Sequence, residues 1–213
     1  MKWSNFKFRT ILLLAFSFVS TITYAQSGYE NRIERYHSNW NKLIPRYTKI
    51  QYAGLMGLIS VGTGWDYGKN RQWETDVYLG YVPKYSTDEK KITMTLRQNF
   101  IPWKKDINEH IMIEPLACGI YANTVFGSDF WVNEPDKYPN DYYSFSTKVR
   151  FNIYAGQRIT YKLKPEKRFF AKSITLFYEI GSCDLYIASA FTNKYLKPTD
   201  YLRLSFGLKM QIL

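Results

Sequence analysis

The sequence predicts an all-β protein whose strands close into an antiparallel transmembrane β-barrel. Long segments alternate between apolar and polar residues, which is the period of a strand with two differently solvated faces. The 213 residues include 19 Tyr, 14 Phe and 6 Trp, yet the mean hydropathy is −0.36. Beyond the N-terminus, no apolar run reaches the ~20 residues of a membrane-spanning helix. Because lipid cannot satisfy unpaired backbone groups, strands in a membrane must form a closed barrel.

Residues 1–25 have the layout of a cleaved secretory signal peptide. Lys2, Lys7 and Arg9 precede an apolar stretch at 11–19, and Thr23-Tyr24-Ala25 offers small residues at the cleavage positions. The alternative is an uncleaved anchor, but the apolar stretch is about half of the ~20 residues that a spanning helix needs. We therefore expect export into an oxidising compartment.

Residues 26–47 are expected to form a short amphipathic helix or arm ahead of a barrel at 48–213. Apolar residues recur there at helical spacing, and Pro45 ends the pattern; they are Tyr29, Ile33, Tyr36, Trp40 and Leu43 or Ile44. Three interpretations stay open: the stripe lies in a membrane interface, it plugs or clamps a barrel end, or it packs on a soluble domain.

Seven segments alternate clearly enough to be predicted as strands. The clearest is the last, in which Leu202, Leu204, Phe206, Leu208, Met210 and Ile212 share one face. The others lie near 50–65, 73–81, 91–100, 111–117, 145–156 and 174–180. Single-chain bacterial barrels use an even number, so we expect the run 170–191 to hold two strands broken at 181–184. Eight strands are then predicted, with ten as the alternative.

The longest irregular stretch, residues 127–142, raises a problem of topology. Four predicted strands precede it, which puts this loop on the same side as the first strand's start. Long loops of such barrels usually lie on the opposite, outward side. Either a strand is missed before the loop, or the loop is unusual.

Charged side chains fall on the predicted inner face of the strands. An eight-stranded barrel is just wide enough for side chains to fill it, and buried charges of both signs must pair. We expect a structural salt-bridge network, the alternative being a narrow pore or ligand cavity with the same lining. Its predicted members are Glu74, Asp76, Arg97, Glu114, Lys148, Arg150, Arg158, Glu179, Arg203 and Lys209.

The net charge of +11 becomes +8 without the three cations of the signal peptide. For an exported protein, anionic lipid head groups and lipopolysaccharide phosphates are more plausible partners than nucleic acid. Aromatic residues near strand ends, such as Trp73, Tyr81 and Trp103, are typical of the girdles at lipid–water boundaries.

No motif for catalysis, a metal or another cofactor is apparent, and none is predicted. His37 and Ser38 are adjacent on the predicted helix and so do not face each other, and His110 stands at a strand start. Two histidines and two cysteines far apart give no metal-ligand spacing. Cys118 and Cys183 allow either a disulfide or two small buried thiols.

The signal ending Thr23-Tyr24-Ala25, the strand 202–213 and the stretches 64–68 and 73–76 resemble small outer-membrane β-barrel proteins of Gram-negative bacteria. This resemblance implies outer-membrane location, contact with the barrel assembly machinery and a structural, adhesive or ligand-contact role. Lipid A palmitoyltransferases and deacylases are similar in layout, so a lipid-modifying enzyme is one alternative. A soluble periplasmic barrel that binds an apolar ligand is another.

Overall fold

The computed structural model describes residues 29–84, 90–127, 148–193, 195 and 197–213. The predicted signal peptide lies outside the described residues, as do residues 128–142 of the long loop and residues 145–147 of the strand predicted from 145. The chain divides into two units, residues 1–44 and 45–213, and the two are described separately.

In the first unit, helix α1 spans residues 29–43, which confirms the predicted short N-terminal helix. Its apolar stripe is exposed, including Tyr36 at 61% and Trp40 at 54%. These two rings, one turn apart, meet edge to face with centroids 5.9 Å apart. Among the described residues, no helix has both the length and the apolar character needed to cross a membrane.

The second unit is a closed barrel of eight antiparallel strands, which confirms the prediction of an all-β antiparallel barrel with eight strands. Its long strands are β1 (Tyr47–Ala53), β2 (Ile59–Tyr67), β3 (Trp73–Val82), β4 (Lys91–Phe100), β6 (Ile111–Phe126), β7 (Val149–Lys162), β8 (Ser173–Cys183) and β9 (Arg203–Gln211). Neighbours in sequence pair with each other, and pairing of β1 with β9 closes the ring. The two-residue strand β5 (Lys105–Asp106) adds to β6, which itself pairs with β4.

The segment predicted as one strand at 50–65 is in fact two, β1 and β2, joined by a tight hairpin. Gly54 and Gly57 have φ values of +85° and +136°, a region that favours glycine. The Ala53 amide donates to the Leu58 carbonyl across the turn (2.8 Å). This is the strand missed before the long loop, so the chain 127–148 leaves and re-enters the barrel at the end opposite the strand termini.

The second strand predicted within 170–191 is wrong. The chain after β8 forms helix α2 (Asp184–Thr192) and, further on, the short helix α3 (Pro198–Tyr201). Asp184 lies in the first turn of α2, where a carboxylate interacts favourably with the helix dipole. Eight strands therefore result from a division at Gly54–Gly57 and not from one at Gly181–Asp184.

The topology gives the barrel two distinct ends. At the terminus end, β1 begins, β9 finishes, and residues 68–72, 101–110 and 163–172 connect strands. At the loop end, strands are joined by residues 54–58, 83–90, 127–148 and 184–202. The longest connections thus share the end that lies away from the termini.

A bulge in β6 reverses which of its side chains face the interior. Glu114 pairs with Arg158 and Ala117 with Gly156, so Pro115 and Leu116 together oppose one residue of β7. Proline has no amide hydrogen to give to the ladder, which makes it compatible with a bulge. As a result, Glu114 and Ala117 are both buried on the inner side although they are three residues apart.

Candidate functional site

The barrel has a polar interior and an apolar outer wall. Inward side chains are buried and mostly polar or charged, and the largest fully buried one is Arg97. Most outward side chains in mid-strand are aliphatic. Eight of them are between 41% and 63% exposed: Val61, Leu79, Leu96, Ile120, Ile153, Ile159, Leu176 and Leu208. A water-soluble protein normally has the opposite distribution.

Glu74 of β3 is the centre of the interior network. Its Oε2 accepts hydrogen bonds from Lys49 Nζ (2.9 Å) and Arg158 Nη1 (2.8 Å), and Lys209 Nζ donates to Oε1. The three cations come from β1, β7 and β9, none of which pairs with β3. This one carboxylate therefore ties four strands together across the interior.

Asp76, two residues along β3, continues the network. It accepts hydrogen bonds from the Tyr47 hydroxyl (2.5 Å), from Lys49 Nζ (2.8 Å) and from Asn99 Nδ2 (2.8 Å). Because Lys49 contacts both Glu74 and Asp76, it reduces the repulsion between these two neighbouring carboxylates. Tyr47 and Lys49 thereby join the first strand to the third.

Arg97 of β4 extends the network toward the loop end. It donates to a carboxylate oxygen of Glu179, to Asn99 Oδ1 (2.6 Å) and to Gln51 Oε1 (3.2 Å). Its guanidinium carbon lies 3.6 Å from the centroid of the Tyr154 ring, a cation–π contact. The Tyr154 hydroxyl donates to the same Asn99 oxygen.

Beyond Arg97, an apolar plug formed by one hairpin residue and three ring side chains of the strands occupies the interior at the β1–β2 hairpin. It consists of Met56, Tyr78, Tyr121 and Tyr154, all buried. The hydroxyl of Thr93 donates to the Met56 carbonyl, and Asn123 Nδ2 donates to the Leu55 carbonyl (2.7 Å). The hairpin therefore folds over the interior and is held by side chains from β4 and β6.

At the terminus end, the interior opens into a polar cavity of about 350 Å³. Asp66, Arg71, Lys104, Glu114 and Lys209 are among its lining residues. Lys104 Nζ lies 3.8 Å from Glu114, and partial burial lowers the pKa of Lys104 even though this carboxylate opposes the change. Charges of both signs line the cavity, and each is close to a partner.

Seven of the ten residues proposed from the sequence for the interior are buried there: Glu74, Asp76, Arg97, Glu114, Arg158, Glu179 and Lys209. Lys148, Arg150 and Arg203 are not buried, because they lie at the loop end, where β7 and β9 begin. Arg150 contacts Asp184 instead (3.5 Å), and Arg203 lies over the Tyr186 ring.

Sequence reasoning missed Lys49, which pairs with both central carboxylates. The first strand was predicted to begin near residue 50, so Lys49, although inside the predicted barrel at 48–213, was not assigned to the inner face. The sequence signal for this strand is the pair Gly54 and Gly57. A turn there separates β1 from β2, and Tyr47, Lys49 and Gln51 then share the inner face of β1.

The described residues contain no arrangement typical of catalysis. The His110 ring lies beside Tyr161, with centroids 6.0 Å apart, and His37 lies beside Tyr36 in α1. Within residues 29–84, 90–127, 148–193, 195 and 197–213, no group of three or more His, Cys, Asp or Glu is placed to hold a metal ion. Cys118 and Cys183 are both free thiols.

No protein-family model, curated protein or solved structure matches this chain. The chemistry of the barrel must therefore be inferred from its own geometry. The charged side chains of the interior pair with one another and so hold the strands together. An eight-stranded barrel filled in this way leaves little room for a conducting path.

Proposed function

We propose that this protein is an integral outer-membrane β-barrel of a Gram-negative envelope, exported with residues 1–25 as a cleaved signal peptide. The observation that carries the proposal is the inverted distribution of polarity, with paired charges inside and an aliphatic band outside. Outward aliphatic side chains on every side of a closed ring are unfavourable in water and favourable in lipid.

The outer wall also has aromatic side chains at both borders of this band. Tyr67, Trp73, Trp103 and Tyr161 lie toward the terminus end, and Tyr52, Tyr81, Phe126 and Phe151 toward the loop end. From Trp73 to Tyr81, β3 rises ~27 Å along the strand. At the usual tilt this is roughly 20 Å of height, close to the ~25 Å apolar band of outer-membrane barrels.

We propose a structural, adhesive or ligand-contact role for the barrel, not transport. The interior is crossed by the Glu74 and Arg97 contacts and covered by the apolar plug. Binding functions of rigid scaffolds usually lie in their connecting segments. Here the longest of these, 127–148 and 184–202, are at the loop end.

The two alternatives make different demands on the structure. A soluble barrel for an apolar ligand requires its apolar faces to point inward, whereas here they point outward. A lipid-modifying enzyme requires a nucleophile or general base in a suitable setting. Neither His37 nor His110 has such a setting among the described residues.

Membrane fractionation tests the proposal. Envelopes from cells that express the protein are washed with alkali, and boiled and unboiled samples are compared on a gel. We expect retention in the outer-membrane fraction and a change of mobility on boiling, because a closed barrel resists detergent until it is heated. Release into the soluble fraction would overturn the membrane assignment.

Two further measurements separate the roles within the membrane. Purified protein in a planar bilayer is expected to give no stepwise conductance, and steady channels would contradict the filled interior. Intact lipid A profiles by mass spectrometry are expected to be the same with and without expression. A new acylation state would replace the structural role with the enzymatic alternative.

A further inference from the structure

The two ends of the barrel differ in charge. The connections of the terminus end, residues 68–72, 101–110 and 163–172, contain eight Lys or Arg and three Asp or Glu. Those of the loop end, residues 54–58, 83–90, 127–148 and 184–202, contain six basic and eight acidic residues. One end is thus strongly basic and the other mildly acidic.

Half of the basic residues at the terminus end lie in one turn, residues 163–172 between β7 and β8. Lys164, Arg168 and Lys172 are exposed, and Lys167 is the fourth cation in the sequence. Between them stand Phe169 and Phe170, which are 86% and 79% exposed. Their rings meet edge to face with centroids 4.4 Å apart, so they form one continuous apolar surface.

The backbone holds this turn firmly on the barrel. The Leu163 amide donates to the Lys172 carbonyl (3.0 Å), and the Lys172 amide donates to the Gln211 carbonyl at the end of β9 (2.7 Å). Arg168 Nε donates to the Leu163 carbonyl (3.0 Å), and Ala171 is buried beneath the turn. The two phenylalanines therefore project from a braced support.

Exposed aromatic rings among lysines and arginines fit one kind of partner well. Aromatic side chains are favoured at the membrane–water boundary, and basic residues near that boundary attract anionic head groups. The arginine and lysine side chains around Phe169 and Phe170 are complementary in charge to lipid phosphates. A protein partner would have to supply acidic groups for the lysines and arginines, and nothing about the two phenylalanine rings calls for such groups.

We propose that the terminus end docks on the head groups of anionic phospholipids, with the Phe169–Phe170 turn inserted at the boundary of the acyl chains. This inference rests on the proposed function, because it assumes that the barrel is in a bilayer. It adds that the Phe169–Phe170 turn reaches the boundary of the acyl chains and that the basic turns of this end select anionic lipid.

Spin labelling of the full-length mature protein tests the insertion. Cys118→Ser and Cys183→Ser remove the native thiols, and a label is placed at Phe169→Cys or, as a matched control, at Lys69→Cys in the polar turn 68–72 of the same end. The barrel is reconstituted in phosphatidylcholine vesicles that contain phosphatidylglycerol. We expect oxygen to relax the label at 169 more than a water-soluble nickel complex does, and the reverse at 69.

Two results would overturn the insertion. One is a label at 169 that is as accessible to the nickel complex as the label at 69, which would mean that the turn is in water. The other is a label at 169 that neither reagent reaches, which would mean that a protein surface covers the turn. A mobility change on boiling, measured on the same samples, shows whether the barrel itself is folded, so failure of the docking is distinguishable from failure of the membrane assignment.

Lipid selectivity tests the role of charge. Protein released from mixed phosphatidylcholine and phosphatidylglycerol nanodiscs is examined by native mass spectrometry. For Lys164→Gln/Lys172→Gln we expect enrichment of phosphatidylglycerol to fall by about fivefold for each lysine removed. The control Lys84→Gln/Lys90→Gln removes the same charge from the loop end and should leave the enrichment unchanged. Equal loss in both variants, or in neither, would contradict selection by the terminus end.

Discussion

The interior of the barrel and its outer wall are made from alternate residues of the same strands, yet they follow opposite rules. On β3, Glu74 and Asp76 are completely buried among cations, while Leu79, on the other face, is more than half exposed. Inside, stability depends on pairing charges that cannot reach water. Outside, in the proposed membrane, it depends on keeping charges away. The comparison shows that one alternating sequence pattern can give the same strand a polar inner face with paired charges and an apolar outer face suited to lipid.

The largest effect is expected inside, at Glu74. Glu74→Gln removes the negative charge that Lys49, Arg158 and Lys209 share. Because breaking a buried ion pair is strongly destabilising, we expect the free energy of unfolding to fall by about 3–5 kcal/mol. Urea unfolding in lipid vesicles measures the loss. The control Glu166→Gln, in an exposed turn, is expected to change stability by less than about 0.5 kcal/mol. Similar values for the two variants would contradict the network.

On the outer wall, an introduced arginine is expected to lower the free energy of unfolding by an amount that depends on its depth in the bilayer. Leu96 lies in the middle of β4 and Ile92 near its loop end. In a bilayer, Leu96→Arg should cost roughly 2–4 kcal/mol and Ile92→Arg about 0–1 kcal/mol. Unfolding in vesicles gives both values. If both variants were nearly neutral, as exposed positions are in water, the wall would not be in contact with lipid.

A double-mutant cycle sharpens the interior side of the comparison. Arg97 and Glu179 form a buried ion pair, so either single change, Arg97→Met or Glu179→Gln, leaves a buried charge with a poorer partner. The double variant removes both charges and is expected to be more stable than the sum of the single effects predicts, by roughly 2 kcal/mol. Strict additivity would mean that the two groups do not interact in the folded barrel.

The smallest effect compares two tyrosine hydroxyl groups. Tyr154 donates to Asn99 inside, and Tyr178 donates to Gln157 on the outer wall (2.7 Å). Tyr154→Phe should cost about 1 kcal/mol, and Tyr178→Phe about 0.6 kcal/mol, as is typical of side-chain hydrogen bonds in membranes. The same unfolding assay ranks them. A larger loss at Tyr178 would reverse the expected order.

Strand alternation was sufficient to predict the fold class and most of the interior. β3 and β9 have uninterrupted alternation, so the inward positions of Glu74, Asp76 and Lys209 follow directly from it. Alternation has no information about where one strand ends and the next begins when the turn itself is apolar. Residues 54–58, Gly-Leu-Met-Gly-Leu, look like strand interior, and only the two glycines indicate the hairpin.

Two other features lay beyond the pattern for physical reasons. The bulge at Pro115 shifts the phase within β6, so residues on either side of it cannot be read with one register. Helix α2 is short and largely apolar, and a short apolar run fits a strand or a buried helix equally well. Its one helical signal is Asp184 in the first turn.

The most direct test of the central claim, that lipid surrounds the outer wall, is a measurement on β4. Spin labels at Met94→Cys and Leu96→Cys, in protein without its native thiols, report on outward positions in mid-strand. In vesicles, we expect both labels to be relaxed by oxygen dissolved in the acyl chains and protected from a water-soluble nickel complex. Free access of the nickel complex to both would show that the apolar wall faces water, and would contradict the membrane assignment.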